Sequence, residues 1–332
     1  MIRFKFLVCA MAMLAMVISG CENKDQILGS GDQEAEVTEL AKENNVDSGV
    51  TAGETLYGMT TSNKLLRFDS ANPRSILSRM RVTGLQPDEE LLGIDFRPAT
   101  GQLYGLGSSS RLYVINLQTA AATPVGPGPF SPALEGNAFG FDFNPTVDRI
   151  RVVGETGQNL RLHPDLGTVV DSDPVTAGIQ PDGRLAYAAA DVNFNRRPSA
   201  VGAAYTNPDN DPATGTTLYD LDARRDVLAI QNPPNNGVLN TVGRLRSDIE
   251  KLVGFDISRS GVAYATVKRD GDDDDDDDRD DKSPNGVSKI MSTNGGKGYS
   301  KLVTVDLTTG RITRIGTIGT SEPIRGLAVS LQ

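Results

Sequence analysis

Four aspartates recur at matching places in the chain: Asp95 in "LLGIDF", Asp142 in "FGFDFN", Asp191 in "AADVNF" and Asp256 in "VGFDIS". Strands grouped around one axis would turn these carboxylates toward one another. Four carboxylates so placed could hold a hard cation such as calcium, which takes six to eight oxygen ligands at about 2.3 to 2.6 Å. The competing expectation is structural, with each Asp accepting backbone N–H groups where neighbouring strands meet. Other site chemistries are poorly supplied. His163 is the only histidine and Trp is absent. A Ser-His-Asp triad would have to use His163, and no "GxSxG" elbow accompanies it. Metal sites built from several imidazoles or thiolates lack their ligands in one chain. The turn around Asp209, Asn210 and Asp211 has acidic groups close together, but Asx residues beside proline favour turns for backbone reasons.

The elements that must position these residues are repeats. "GIDFRPATGQLYGLG" (93–107), "GFDFNPTVDRIRVVG" (140–154) and "GFDISRSGVAYATV" (254–267) each read as a short apolar strand, a turn and a second strand. A third strand follows, ending in an acidic, amide or imidazole residue: "LLRFD" to Asp69, "LYVIN" to Asn116, "LRLH" to His163, "LYDLD" to Asp222 and "LVTVD" to Asp306. The residue that ends each is expected to cap the following turn. Repeats of about 40 to 50 residues with several short strands are the signature of propeller blades. The opening segment from Gly53 lacks a first strand, and "IRGLAV" at 324–329 aligns with "LLGIDF" and puts Ala328 where the others carry Asp. The C-terminal strand is therefore expected to complete the N-terminal blade, which closes the ring without open edges. The expected fold is all-β, a propeller of five four-stranded blades over 53–332. Its weakest repeat is 185–243.

Before the repeats lies an address. Arg3 and Lys5 precede an apolar run over 6–18 that ends "VISGC" at Cys21. The run is shorter than the ~20 apolar residues needed to span hydrocarbon, and it has the form of a secretory signal over 1–20. Ile18-Ser19-Gly20-Cys21 resembles the bacterial lipobox. That resemblance implies a lipidated Cys21 carrying acyl chains such as palmitate, and Glu22 after it implies the outer membrane of a Gram-negative envelope, at its periplasmic or its surface face. Cys9 leaves with the signal, so one mature chain can form no disulfide. Residues 21–52, polar and acidic, read as a tether.

Net charge is −10. Most of it lies in "DGDDDDDDDRDDK" from Asp270 to Lys282, with ten Asp against Arg279 and Lys282. The run lacks the Gly and Glu that shape an EF-hand loop, so 269–298 is expected to be a solvated insert. No basic patch is present, which argues against nucleic acid as a partner.

The segment "FGFDFNPTVDRIRVVGETGQNLRLHPDLGTV" at 139–169 resembles the hallmark of a bacterial family of exported or lipid-anchored domains of unknown function, over about 53–330. The resemblance implies a propeller-like domain and transfers no activity. The leading expectation is a lipid-anchored envelope module that binds an unidentified protein or small molecule, or acts as a scaffold, without catalysis. The runner-up is a calcium-dependent hydrolase that resembles propeller lactonases, with the metal held in the channel by some of the four aspartates.

Overall fold

The computed structural model describes residues 53–251, 253–268 and 300–332. The signal, Cys21, the tether and the acidic insert lie outside the described residues. The described chain forms twenty-one strands and one 3-10 turn, Pro234–Asn236.

Strands β1 (Thr55–Thr60), β2 (Lys64–Asp69) and β3 (Asn72–Arg81) make the first blade. The second contains β4 (Leu91–Phe96), β5 (Leu103–Gly107), β6 (Arg111–Ile115) and β7 (Ala122–Val125). The third contains β8 (Phe139–Asn144), β9 (Arg149–Gly154), β10 (Asn159–His163) and β11 (Thr168–Val169). After a short β12 (Ala186–Tyr187), the fourth contains β13 (Ala200–Tyr205), β14 (Leu218–Asp222), β15 (Val227–Gln231) and β16 (Val238–Arg244). The fifth contains β17 (Phe255–Ile257), β18 (Ala263–Lys268), β19 (Ser300–Val305) and β20 (Ile312–Thr317), and β21 (Ile324–Val329) ends the chain.

Each blade is an antiparallel meander, and β21 pairs with β1 to supply the missing inner strand of the first blade. The ring is thus a five-bladed propeller closed by its two ends, as the repeats require. One blade departs from four strands, because β12 adds to the outer edge of β16 in parallel.

The inner strands pack in a cycle: β21 on β4, β4 on β8, β8 on β13, β13 on β17 and β17 on β21. Glycine permits this closeness. A Cβ on Gly140 would lie 2.4 Å from the Ala203 nitrogen of the next blade, and one on Gly254 would lie 2.6 Å from the Leu327 nitrogen. Gly93, Gly202 and Gly326 hold the corresponding place in the other three inner strands, so five glycines girdle the axis.

The core is divided among the five contacts between adjacent blades, each with its own apolar cluster. Four draw several side chains from both partners. Between the third and fourth blades, the third contributes Val153 alone from its strands.

The weak repeat at 185–243 is where the sequence reading needs correction. The inner strand of that blade is "AVGAAY" (β13), not "AADVNF", so the axial position belongs to Ala204. "LYDLD" is the second strand of its blade and not the third, which is "VLAIQ" (β15). The turn between β13 and β14 is lengthened by "TNPDNDPATGT", and this displaced the spacing. All five predicted capping residues nevertheless cap turns. The N–H of Ala71 donates to Asp69, those of Gln118 and Thr119 to Asn116, that of Asp165 to His163 Nδ1, those of Arg224 and Arg225 to Asp222, and those of Thr308 and Thr309 to Asp306.

Candidate functional site

Asp95, Asp142 and Asp256 point to the axis from β4, β8 and β17. They are buried, and one oxygen from each lies within 4.8 Å of the others. The remaining axial places are Ala204 and Ala328, both fully buried. Asp191 is not brought to the group. It sits in the loop after β12, where it accepts the N–H of Asn193 at 2.7 Å and the N–H and hydroxyl of Thr241 at 2.6 and 2.9 Å.

The three axial carboxylates are also the stitches between blades. Asp95 accepts the Phe96 N–H of its own strand and the Phe143 N–H of the next blade, each at 2.7 Å. Asp256 does the same with Ile257 and Val329, both at 2.6 Å. Asp142 accepts the Tyr205 N–H at 2.8 Å. Convergence and capping thus coexist, since an inner strand that ends at the axis presents its side chain both to the centre and to its neighbour's backbone.

Charge cannot accumulate freely there. Burial, and then the neighbouring carboxylates, push Asp95 and Asp142 well above the usual carboxylate range, and these two are hydrogen-bonded to each other. Burial raises Asp256 to about 7 against the opposing pull of its two backbone bonds. Three buried like charges within a few ångströms are held as carboxylic acids or by a counter-ion. The adjoining cavity measures about 10 Å³, close to the space of one water or one monatomic ion.

A second constellation lies between the third and fourth blades, and it comes from the hallmark segment. Opposite the axial residues, the second strands carry Tyr57, Tyr104, Tyr219 and Tyr264 in four blades, and Arg151 in the third. The residue that follows is Gly58, Gly105, Val152 or Ala265, but Asp220 in the fourth blade. Three of the tyrosines belong to the apolar clusters and Tyr219 packs against one of them. Here an arginine and an aspartate replace that apolar contact.

Arg151, 2% exposed, is held by many partners. It donates to Asn159 Oδ1 at 2.8 Å, Asp182 Oδ2 at 2.6 Å, Asn235 Oδ1 at 2.8 Å and the Tyr205 hydroxyl at 3.4 Å. Asp182, buried beneath, also takes two hydrogen bonds from Arg161 at 2.7 and 2.9 Å. Asp220 is wholly buried, and neither of its oxygens is hydrogen-bonded among the described residues. Burial lifts it to about 8, partly countered by the charge of Arg151.

This polar contact opens to a cleft of about 420 Å³. Arg149, Arg151, Arg161, Tyr205 and Asn235 supply its polar wall, and Val147, Ile150, Val170 and Pro234 its apolar one. Such a size is within the range of small-molecule sites. Tyr205 links the two constellations, because its N–H bonds Asp142 and its hydroxyl meets Arg151. Beside the cleft, Arg97 pairs with Asp148 and Asp165 at 2.5 and 2.6 Å.

Of the other residues singled out in the sequence, His163 serves only the turn already described, with its pKa lowered by burial. Asp209 and Asp211 accept backbone N–H groups two residues on, at 2.9 Å each, as Asx turns do. The cleft was missed. Its signal is a column, not a motif: aligning "TLYGM", "QLYGL", "RIRVV", "TLYDL" and "VAYAT" exposes Arg151 as the one departure from tyrosine, and Asp220 as the one acidic residue at the next place.

A family model described as a domain of unknown function (DUF4394) matches residues 64–328, and the chain belongs to that family. No curated protein matches the chain.

Proposed function

We propose that this member of the family is a lipid-anchored protein of the Gram-negative envelope whose propeller binds a small ligand in the cleft between its third and fourth blades. The observation that carries the reading is the exchange of tyrosine and a small residue for Arg151 and Asp220 at one blade contact out of five, where the cleft opens. Burying charge without apolar compensation is costly, and nothing in ring closure demands it, since the other four contacts close without it. A screen of neutral, cationic and anionic fragments by protein-observed NMR is expected to shift signals of Val147, Val170 and Asn235. In Val170→Trp, which fills the cleft, those fragments should no longer bind. Hits that survive this substitution, or that cluster on another face, would place the site elsewhere.

The anchor has its own test. Cys21→Ser should move the protein from the membrane fraction to the soluble envelope extract, because each buried acyl methylene contributes roughly 0.8 kcal/mol to membrane attachment. A Cys21→Ser protein retained in washed membranes would refute lipid anchoring.

A second reading, the calcium-dependent hydrolase, draws on the convergence of Asp95, Asp142 and Asp256. Oxygens within 4.8 Å of one another suit a shared ion. Against it, five of the six carboxylate oxygens already accept backbone N–H groups. A cation requires ionised carboxylates, so its effect must grow with pH. If the reading holds, millimolar calcium raises the melting temperature by several degrees at pH 8, not at pH 5, and not in Asp142→Asn. An unchanged melting temperature at pH 8 leaves the three aspartates as structural caps.

A further inference from the structure

The cleft's polar wall is one-sided in its chemistry. Side-chain acceptors there are already engaged: both oxygens of Asp182 by Arg151 and Arg161, Asn235 Oδ1 by Arg151, and Asn144 Oδ1 by the N–H groups of Thr146 and Val147 at 2.9 and 3.3 Å. The Tyr205 hydroxyl accepts from Arg151, which leaves its proton for another partner. The Asn235 amide nitrogen is likewise a donor whose oxygen is committed.

Charge points the same way. Three guanidinium groups line the cleft against the single carboxylate of Asp182. Arg97 is shared by the nearby Asp148 and Asp165, so these three groups leave one negative charge beside the cleft, within the field of Arg149, and the cleft with its rim keeps an excess of one positive charge. Arg149 forms no ion pair among the described residues and donates only to the carbonyls of Val147 and Asp148.

We propose that the cleft binds an organic oxyanion, a carboxylate or phosphate monoester head on an apolar body, with Arg149 meeting the head and Val170 and the exposed Val147 packing the body. The inference rests on the binding reading above and specifies its ligand class. Planar guanidinium groups match carboxylate and phosphate oxygens in geometry, and such charge-assisted bonds are about twice as strong as neutral ones. Arg151 and Arg161, already fixed by Asp182, act as positioned background charge.

The test is a matched panel titrated by NMR at pH 7: carboxylates and phosphate monoesters with apolar bodies of six to twelve carbons, each paired with its neutral amide or alcohol, and inorganic phosphate alone. The expected result is that at least one acid binds in the cleft, with its neutral partner and inorganic phosphate at least tenfold weaker. Arg149→Gln should lose that preference, and Arg149→Lys should keep part of it. Both variants retain the wild-type spectrum away from the cleft, because Arg149 bonds only its own turn. Equal binding of acids and their neutral partners, or an Arg149→Gln protein that still prefers acids, overturns the oxyanion inference and leaves the binding reading standing. A panel that nowhere shifts cleft signals overturns the oxyanion inference, and if the fragment screen is also silent the binding reading falls with it.

Discussion

Deleting residues 324–332 should leave a chain that no longer folds. It would show a coil-like circular dichroism spectrum or elute as aggregate, with no cooperative melting. The deleted strand, β21, is the inner strand of the first blade, although it lies at the far end of the sequence from the rest of that blade. Ile324, Leu327 and Val329 are buried in the cluster between the fifth and first blades, and Ala328 in that between the first and second. Fully burying each large apolar side chain contributes about 1.5 to 3 kcal/mol, so three of them approach the ~5 to 15 kcal/mol that a whole domain has. The loss does not stop there. The N–H of Val329 is one of the two partners of Asp256, and the edge of β1 would be left open to other chains. A truncated protein that stays monomeric and melts at the wild-type temperature would mean that the first blade holds with three strands.

How this closure could be read from the sequence, while the cleft could not, follows from what each feature needs. An inner strand must carry glycine two residues before the axial position, because neighbouring backbones come too close for a Cβ. "LLGIDF", "FGFDFN", "VGFDIS" and "IRGLAV" therefore announce themselves. "AVGAAY" obeys the same glycine rule, with Gly202, yet it has no acidic residue. "AADVNF", eleven residues upstream, has the acid without the glycine. Following the carboxylate instead of the glycine placed Asp191 at the axis and made "LYDLD" a third strand. The steric requirement is shared by all five blades and the carboxylate by only three, so glycine was the better guide. The cleft depends on which residue types two different blades bring into one contact. Arg151 and Asp220 lie far apart in sequence, and each is ordinary in its own strand. Their significance is visible only once the blades are in register.

The axial carboxyls set the remaining prediction, an inverted dependence of stability on pH. Asp256 has a folded pKa of about 7 against a usual value near 3.8, and Asp95 and Asp142 are shifted in the same direction. A carboxyl whose pKa is raised by folding binds more protons in the native state than in the unfolded one between those two values, so stability falls as pH rises through that window. At about 1.36 kcal/mol per pKa unit, Asp256 alone accounts for on the order of 4 kcal/mol between pH 4 and pH 8. For a domain of this size that is a fall in melting temperature on the order of 10 °C. Below pH 4 the sign reverses. Glu322 is lowered to about 2, because the bonds from Lys64 and Ser62 outweigh its burial, and its contribution is lost as acid protonates it. In buffer with a chelator, the melting temperature should therefore peak near pH 4 to 5 and decline steadily toward pH 8. Asp256→Asn should be less stable at the peak, since an amide nitrogen cannot accept the N–H of Ile257 or Val329, yet its decline toward pH 8 should be visibly shallower. A wild-type melting temperature that is flat or rising from pH 5 to 8 would mean that the three carboxyls are ionised in the folded ring, with a counter-charge at the axis to hold them.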